Sequence, residues 1–436
     1  MTVQTLAAVI LGKGVHFLTR TLNIGGGSAA PGYYALKIDP DLVVHLASQI
    51  PCTIIITGTN GKTTTARMLA QFAKESGLKV IRNHTGSNLE RGIASALLSH
   101  FPLLTSHLPD LAIWELDEAA FNKVIPKLKP DMIVFLNAFR DQLDRYGEVD
   151  SVVKKWCQTL KVVDPKTSIF INGDDHNLLA LKDCFKGSVQ TFGLESNKIT
   201  GERATMQNKT HKLDFEARNI KLNGLTGSSF LLQTTNYKLQ TTLPVPGIYH
   251  VYNFLAAYIL AKKLDISDEY ILNSLKTFQP AFGRVEKFDF GYIFLIKNPT
   301  GATQVLQTLA PELKSNDRLL LALNDNLADG TDVSWIWDID FEQCKVQPFG
   351  FAQGESAKCK VFVSGTRAED MALRLKYADI DPKQIAIENN LERAFEEARI
   401  GLKGRLFILP TYTALLELQR LLTKRGLKKH YWKEAT

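Results

Sequence analysis

Seven consecutive residues, Gly58-Thr59-Asn60-Gly61-Lys62-Thr63-Thr64, have the types and spacing of a loop that holds phosphate. The two glycines permit a tight backbone path. Its amide N–H groups, with the N-terminus of a following helix, offer partial positive charge to phosphate oxygens. Lys62 is spaced to reach the terminal phosphates of ATP, and the Thr63 hydroxyl to ligate Mg²⁺. The loop departs from the usual G-x-x-x-x-G-K-[ST], because Ile56 occupies the first glycine position. Farther on, Glu115 and Asp117 lie at or just past the end of an apolar run. A carboxylate there can hold Mg²⁺ beside a triphosphate, and a solvated loop acid is the alternative. Asp141 and Asp144 follow the next apolar run in the same way, as a second carboxylate cluster or as helix caps.

These residues need a strand to end, and a helix to begin, at the loop. The run 53–57 is apolar and β-branched, and 64–76 carries Leu69, Phe72 and Ala73 at helical spacing. Short apolar runs at 78–81, 111–115, 132–136 and 167–172 alternate with helical segments. That alternation predicts an α/β fold, a parallel sheet with helices on both faces. Between about 187 and 243 the pattern turns β-rich, with candidate strands at 215–222 and 228–239, and reads as an insertion or small subdomain. Helix returns at 252–264. A break at 279–283 opens a second α/β unit with strands expected at 318–322, 360–364, 384–387 and 405–409. The expected organisation is an N-terminal helical segment over 1–45, a central ATP-binding domain over 46–278, and a C-terminal Rossmann-like α/β domain over 279–436.

At 436 residues the chain exceeds what one compact core usually holds. Its 52 basic and 45 acidic residues leave a net charge of +7. The basic residues are dispersed, with no aromatic-basic motif, so nucleic acid is not the expected partner. Anionic small ligands or an anionic membrane surface account for the charge equally well. The five cysteines, Cys52, Cys157, Cys184, Cys344 and Cys359, are scattered and never spaced C-x-x-C, which argues against a disulfide framework and a cysteine zinc site. A reducing, cytoplasmic setting follows. The apolar stretch 5–11 has no basic region before it, and no apolar run is long enough to span a bilayer.

The residues from Thr57 to Thr64 resemble the nucleotide loop of the Mur ligases and folylpolyglutamate synthases. Gly247-Ile248-Tyr249-His250-Val251-Tyr252-Asn253-Phe254-Leu255-Ala256-Ala257 is similar to a G-x-x-x-x-x-N-x-x-A-A segment of that superfamily, which implies that Asn253 lies near the adenine. Phe282-Gly283-Arg284-Val285-Glu286 resembles the segment that opens its C-terminal domain, with Arg284 toward the nucleotide. Within the superfamily the resemblance is to the MurT family, and it runs over nearly the whole chain. It is carried by Gly25-Gly26-Gly27, by Ala35 to Pro40, by Arg140-Asp141-Gln142-Leu143-Asp144-Arg145-Tyr146-Gly147-Glu148, and by Asn324-Asp325-Asn326 with Ala328-Asp329-Gly330. Ser334-Trp335-Ile336-Trp337-Asp338, Ser364 to Ala372 and Pro410 to Ala414 complete it.

The resemblance implies ATP- and Mg²⁺-dependent amidation of the D-glutamate α-carboxylate in the stem peptide of lipid II. It also implies ammonia supplied by a GatD-like glutaminase subunit. Asp338 is then expected to complete that partner's Cys-His pair, ahead of Asp332 and Asp329, as an aspartate can orient an imidazole and stabilise its cation. The other reading of Asp338 is a loop or cap aspartate. Members of this family typically carry a four-cysteine zinc ribbon, whereas residues 187–243 contain no cysteine, so no zinc is expected. Many Mur ligases also have D-H-x-D followed by a metal-bridging lysine, and here Gln142 and Trp156 stand at those positions. The competing expectation is a stand-alone ligase of the folylpolyglutamate synthase kind, joining an amino acid to a carboxylate.

Overall fold

The computed structural model describes residues 2–21, 29–83, 87–101, 108–139, 149–195, 212–280, 283, 285–342 and 359–428. Two sheets organise it. The first has nine strands: β1 (Cys52–Thr57), β2 (Val80–Arg82), β3 (Leu111–Leu116), β4 (Met132–Phe135), β5 (Ser168–Asn172), β6 (Val189–Leu194), β7 (Phe215–Leu222), β8 (Ser228–Thr234) and β9 (Lys238–Leu243). Their order is β2-β3-β1-β4-β5-β6-β7-β8-β9. Pairing is parallel from β2 through β7 and antiparallel along β7-β8-β9.

Successive side chains on a strand point to opposite faces, so each continuous apolar run feeds two cores at once. Ile54 and Ile56 of β1 pack with Leu69, Phe72 and Phe254, from helices Lys62–Glu75 and Ile248–Lys263. Ile55 packs on the other side with Trp114, Phe121, Phe135 and Trp156. The helices that precede β1 join this second core through Ala8, Val9, Ala35 and Leu46.

The second sheet holds β10 (Glu286–Phe288), β11 (Gly291–Ile293), β12 (Arg318–Ala322), β13 (Lys360–Ser364), β14 (Ile385–Ile387) and β15 (Leu406–Pro410), in the order β10-β11-β15-β12-β13-β14. It is parallel apart from the β10–β11 hairpin.

Three features differ from the sequence reading. The β-rich stretch extends the main sheet, with Phe192, Gly193 and Leu194 of β6 pairing Phe215, Glu216 and Ala217 of β7. The single strand expected over 228–239 is two, because the Thr234 hydroxyl accepts the Asn236 and Tyr237 amides, each at 3.2 Å, and turns the chain. Cys157 and Cys184, whose scattered placement argued against a disulfide framework, are joined in a disulfide. Helix Val149–Leu160 packs beside the turn Ala180–Cys184, bringing the two Cα atoms to 5.2 Å, a proximity that a separation of 27 residues does not reveal.

Candidate active site

The phosphate loop connects β1 to helix Lys62–Glu75 at the carboxyl end of the parallel strands, where open α/β sheets bind ligands. The loop is fixed on every side. Asn60 N–H donates to Asn137 Oδ1 at 2.8 Å, and Asn137 Nδ2 donates to the Asn60 carbonyl at 3.0 Å. Thr59 N–H donates to the Asn137 carbonyl at 3.1 Å. Gly58 and Gly61 have φ of +133° and +89°, the region that favours glycine. A β-carbon on Gly61 would stand 2.2 Å from Asn253 Oδ1, so Asn253 lies directly against the loop.

Lys62 is buried at the first turn of its helix. Its ammonium donates to the carbonyls of Gly58 and Thr59 and lies 3.5 Å from Glu118 Oε2. Thr63 Oγ1 donates to Glu115 Oε2 at 2.6 Å. The parallel register that sets Ile56 opposite Glu115 produces this contact. Glu115 is buried, and its backbone is held by Asn83, which accepts the Glu115 amide at 2.9 Å and donates to its carbonyl at 2.8 Å. Glu118 is buried too. Burial raises its pKa above the ordinary carboxyl value, an effect that the Lys62 charge partly offsets.

The other wall of the cleft comes from the second sheet's side. Asn298 precedes helix Pro299–Leu309, and its Oδ1 caps the Gly301 amide at 2.8 Å. The same side chain forms a reciprocal amide pair with Asn60, at 3.0 and 3.2 Å. Lys297 Nζ donates to the Thr59 carbonyl at 3.3 Å. Asn60, Gly61, His250, Asn253, Lys297 and Gln304 line the cleft between the two halves.

Gly58 through Thr64, Glu115 and Asn253 are thus brought together, with Asn253 against Gly61 of the phosphate loop. Arg284 lies outside the described residues, as do Asp141 and Asp144. Asp338 is elsewhere, exposed at the end of the turn Ser334–Asp338 beyond β12. Of its two rivals, Asp329 is buried and accepts both the amide and the hydroxyl of Thr413, and Asp332 accepts the Ser334 amide at 2.8 Å. Arg374 pins the Asp338 turn. Its guanidinium donates to the carbonyls of Ile336 at 3.2 Å and Ile339 at 2.7 Å, and pairs with both carboxylate oxygens of Glu342. Sequence reasoning missed Lys297, Asn298, Asn137 and Glu118. The Asn298-Pro299 pair, a cap residue followed by proline at the first helical position, was a readable sign of a helix start there.

Among the described residues no cluster of three or more His, Cys, Asp or Glu side chains could hold a metal by itself. Mg²⁺ does not need one, since it is usually bound by one or two carboxylates with substrate phosphates and water. The Thr63–Glu115 pair beside the glycine cradle suits that requirement.

A two-sheet chain with a phosphate loop at the first sheet's carboxyl edge, clasped from the second sheet, has the architecture of the Mur ligases. It is similar to MurF from Acinetobacter baumannii, with a TM-score of 0.67 and 17% identity over 90% of this chain and 80% of that one. It is also similar to Mycobacterium tuberculosis folylpolyglutamate synthase complexed with ADP, with a TM-score of 0.63 and 17% identity over 89% and 93%. Residues 56–261 match the Mur ligase middle domain and residues 295–415 the MurT ligase C-terminal model. Two curated relatives bear the name lipid II isoglutaminyl synthase (glutamine-hydrolyzing) subunit MurT. The Streptococcus pneumoniae protein is 30% identical over 98% of this chain and 99% of its own length. The Staphylococcus aureus protein is 29% identical over 91% and 93%. The chain belongs to the MurT family.

Proposed function

We propose that this chain is the synthetase subunit of a two-protein amidotransferase. It uses ATP to activate the α-carboxylate of D-glutamate in the lipid II stem peptide as an acyl phosphate. Ammonia from a GatD-like glutaminase then attacks to give D-isoglutamine. The observation that carries this reading is the Thr63–Glu115 contact beside Lys62, at a phosphate loop of Mur ligase type.

A carboxylate resists nucleophiles until one oxygen becomes a phosphate leaving group, and the two anionic reactants repel until cations stand between them. Lys62 supplies one positive charge at the terminal phosphate. Mg²⁺, held through Thr63 and Glu115, would supply the rest by neutralising charge on the transferring group. The Gly58 and Gly61 backbone cradles the phosphates, and Asn253 meets the nucleotide at the cleft wall. The acceptor is taken from the names of the relatives, whose "subunit" and "glutamine-hydrolyzing" support a partner that makes ammonia.

The described cysteines agree with an external ammonia source. A glutaminase nucleophile needs a lowered thiol pKa. Burial pushes Cys52 up to about 11 and Cys359 up to about 12, and Cys157 and Cys184 are bonded to each other. Asp338 is exposed beside Trp337, whose ring meets Tyr377 at 5.5 Å, an aromatic surface suited to a protein partner. No helix among the described residues is long and apolar enough to cross a membrane. The reading assigns the chain to the cytoplasm, where ATP is available.

The test measures lipid II-dependent ATP hydrolysis and amidation, with ammonium salts and with glutamine plus the partner. Both activities are expected for the native chain. Asp338→Asn is expected to abolish the glutamine-driven reaction and spare the ammonia-driven one. Loss of both would remove Asp338 from the partner's triad. Turnover with free amino acids in place of ammonia would favour a stand-alone ligase.

A further inference from the structure

The first helix, Val3–Thr21, has two apolar faces and buries only one. Thr5, Ala8, Val9 and Gly12 are buried. The approach is close at Gly12, where a β-carbon would stand 2.5 Å from Leu98 of helix Glu90–His100. The opposite face presents Val3, Leu6, Ile10, Leu11, Phe17 and Leu18, exposed by 88%, 44%, 56%, 40%, 68% and 55%. Val3, Leu6, Ile10 and Phe17 follow the three-, four- and seven-residue spacing of one helical face, and Leu11 and Leu18, seven apart, run along its edge. Scattered exposed apolar residues are ordinary, but a contiguous stripe of them marks an interaction surface.

Charge identifies the occupant. The sequence has no aspartate or glutamate before Asp39, whereas Lys13, Arg20 and Lys37 are basic. The neighbouring helix Ala30–Ile38 adds Tyr33 and Tyr34, both partly exposed, with Lys37 Nζ 4.6 Å from the Tyr33 ring centroid. We propose that this face lies on an anionic bilayer surface. The apolar stripe enters the boundary between headgroups and acyl chains, and the basic flank meets lipid phosphates. A second copy of the chain fits less well, because two such faces would bring basic flanks together, and the sequence before Asp39 supplies no acid to offset them. The docking is independent of the amidation chemistry, although it would set the chain where lipid-linked substrates are presented.

The test is co-sedimentation of the full chain with vesicles of phosphatidylcholine alone, or mixed equally with phosphatidylglycerol. Binding is expected to the mixed vesicles and to weaken with salt. Substituting Ile10→Asp together with Phe17→Asp is expected to lower it at least tenfold, since two apolar side chains no longer leave water. Circular dichroism and ATP affinity of that variant should match the native chain. As a second readout, Phe17→Trp adds an indole to a helix that has none, and its emission should shift to the blue with mixed vesicles. Failure to bind mixed vesicles, or equal binding by the doubly substituted chain, overturns the proposal. So does self-association that the double substitution abolishes while vesicles have no effect.

Discussion

Replacing Gly61 by alanine tests the geometry of the phosphate loop with a single methyl group. Two costs can be worked from the structure. Gly61 has φ of +89°, and an L-residue held in left-handed backbone costs roughly 1–2 kcal/mol. The added β-carbon would also stand 2.2 Å from Asn253 Oδ1. Asn253 is buried in helix Ile248–Lys263, 3.4 Å from His250 Nδ1, so turning its amide away from Gly61 gives up that contact. Overpacking of this kind costs about 1–3 kcal/mol. The sum, about 2–5 kcal/mol, falls on the conformation that receives phosphate, so ATP affinity should drop at least about thirtyfold at 1.4 kcal/mol per decade. Titration calorimetry with a non-hydrolysable ATP analogue measures the loss, and thermal unfolding checks that the fold survives. Asn253→Ala in the Gly61→Ala background removes the clash but not the backbone strain, so the double-mutant cycle should return a coupling of about 1–3 kcal/mol. Native affinity in Gly61→Ala, or strict additivity in the cycle, would refute the assignment of Gly61 and Asn253 to one wall of the nucleotide site.

Three further outcomes are expected. Burial holds the Glu118 pKa above its ordinary value of 4.5, so the folded chain binds that proton more tightly than the unfolded chain. Its contribution to stability is present below pH 4.5 and is lost as pH rises through the raised folded value; urea midpoints against pH should fall there for the native chain and less for Glu118→Gln. Arg374→Ala removes the side-chain donor from the Ile336 and Ile339 carbonyls, which keep only the backbone N–H groups of Ile339 and Phe341. Two lost hydrogen bonds at about 0.5–1.5 kcal/mol each predict a loss of about 1–3 kcal/mol in denaturant unfolding, with glutamine-driven turnover falling more than ammonia-driven turnover; lysine, lacking the fork that grips Glu342, should not restore it. Alkylation in denaturant without reductant should leave Cys157 and Cys184 unmodified, and mass spectrometry after reduction should find both.

The parts that the sequence made legible are those where local pattern and tertiary role coincide. The β1 run is apolar at its centre, Ile54 to Ile56, and the phosphate loop must follow such a strand. Glu115 was legible because strand ends in parallel sheets gather at one edge. The Asn60–Asn298 pair was not, because it joins residues 238 apart and neither asparagine carries a sign of its partner. Glu118 was passed over for a different reason. An acid in the first turn of a helix ordinarily serves the helix dipole, and only its burial against Lys62 marks it as part of the site. The β7–β9 ribbon looked separable because alternating strands after parallel units often are, and only its pairing with β6 shows where it attaches.

Helix Pro299–Leu309 touches the site at one end and the Asp338 turn a short way along. Asn298 clasps Asn60 of the phosphate loop, and Thr303 Oγ1 accepts the Asp340 amide at 3.1 Å. Five residues of helix separate the two contacts, roughly 7.5 Å of rise. So short a rod hardly bends, and it transmits rotation and translation almost without loss. The phosphate loop and the Asp338 turn therefore share one reference frame. If nucleotide occupancy tilts this rod, thermodynamic linkage requires that a protein seated on the turn alter nucleotide affinity by the same factor.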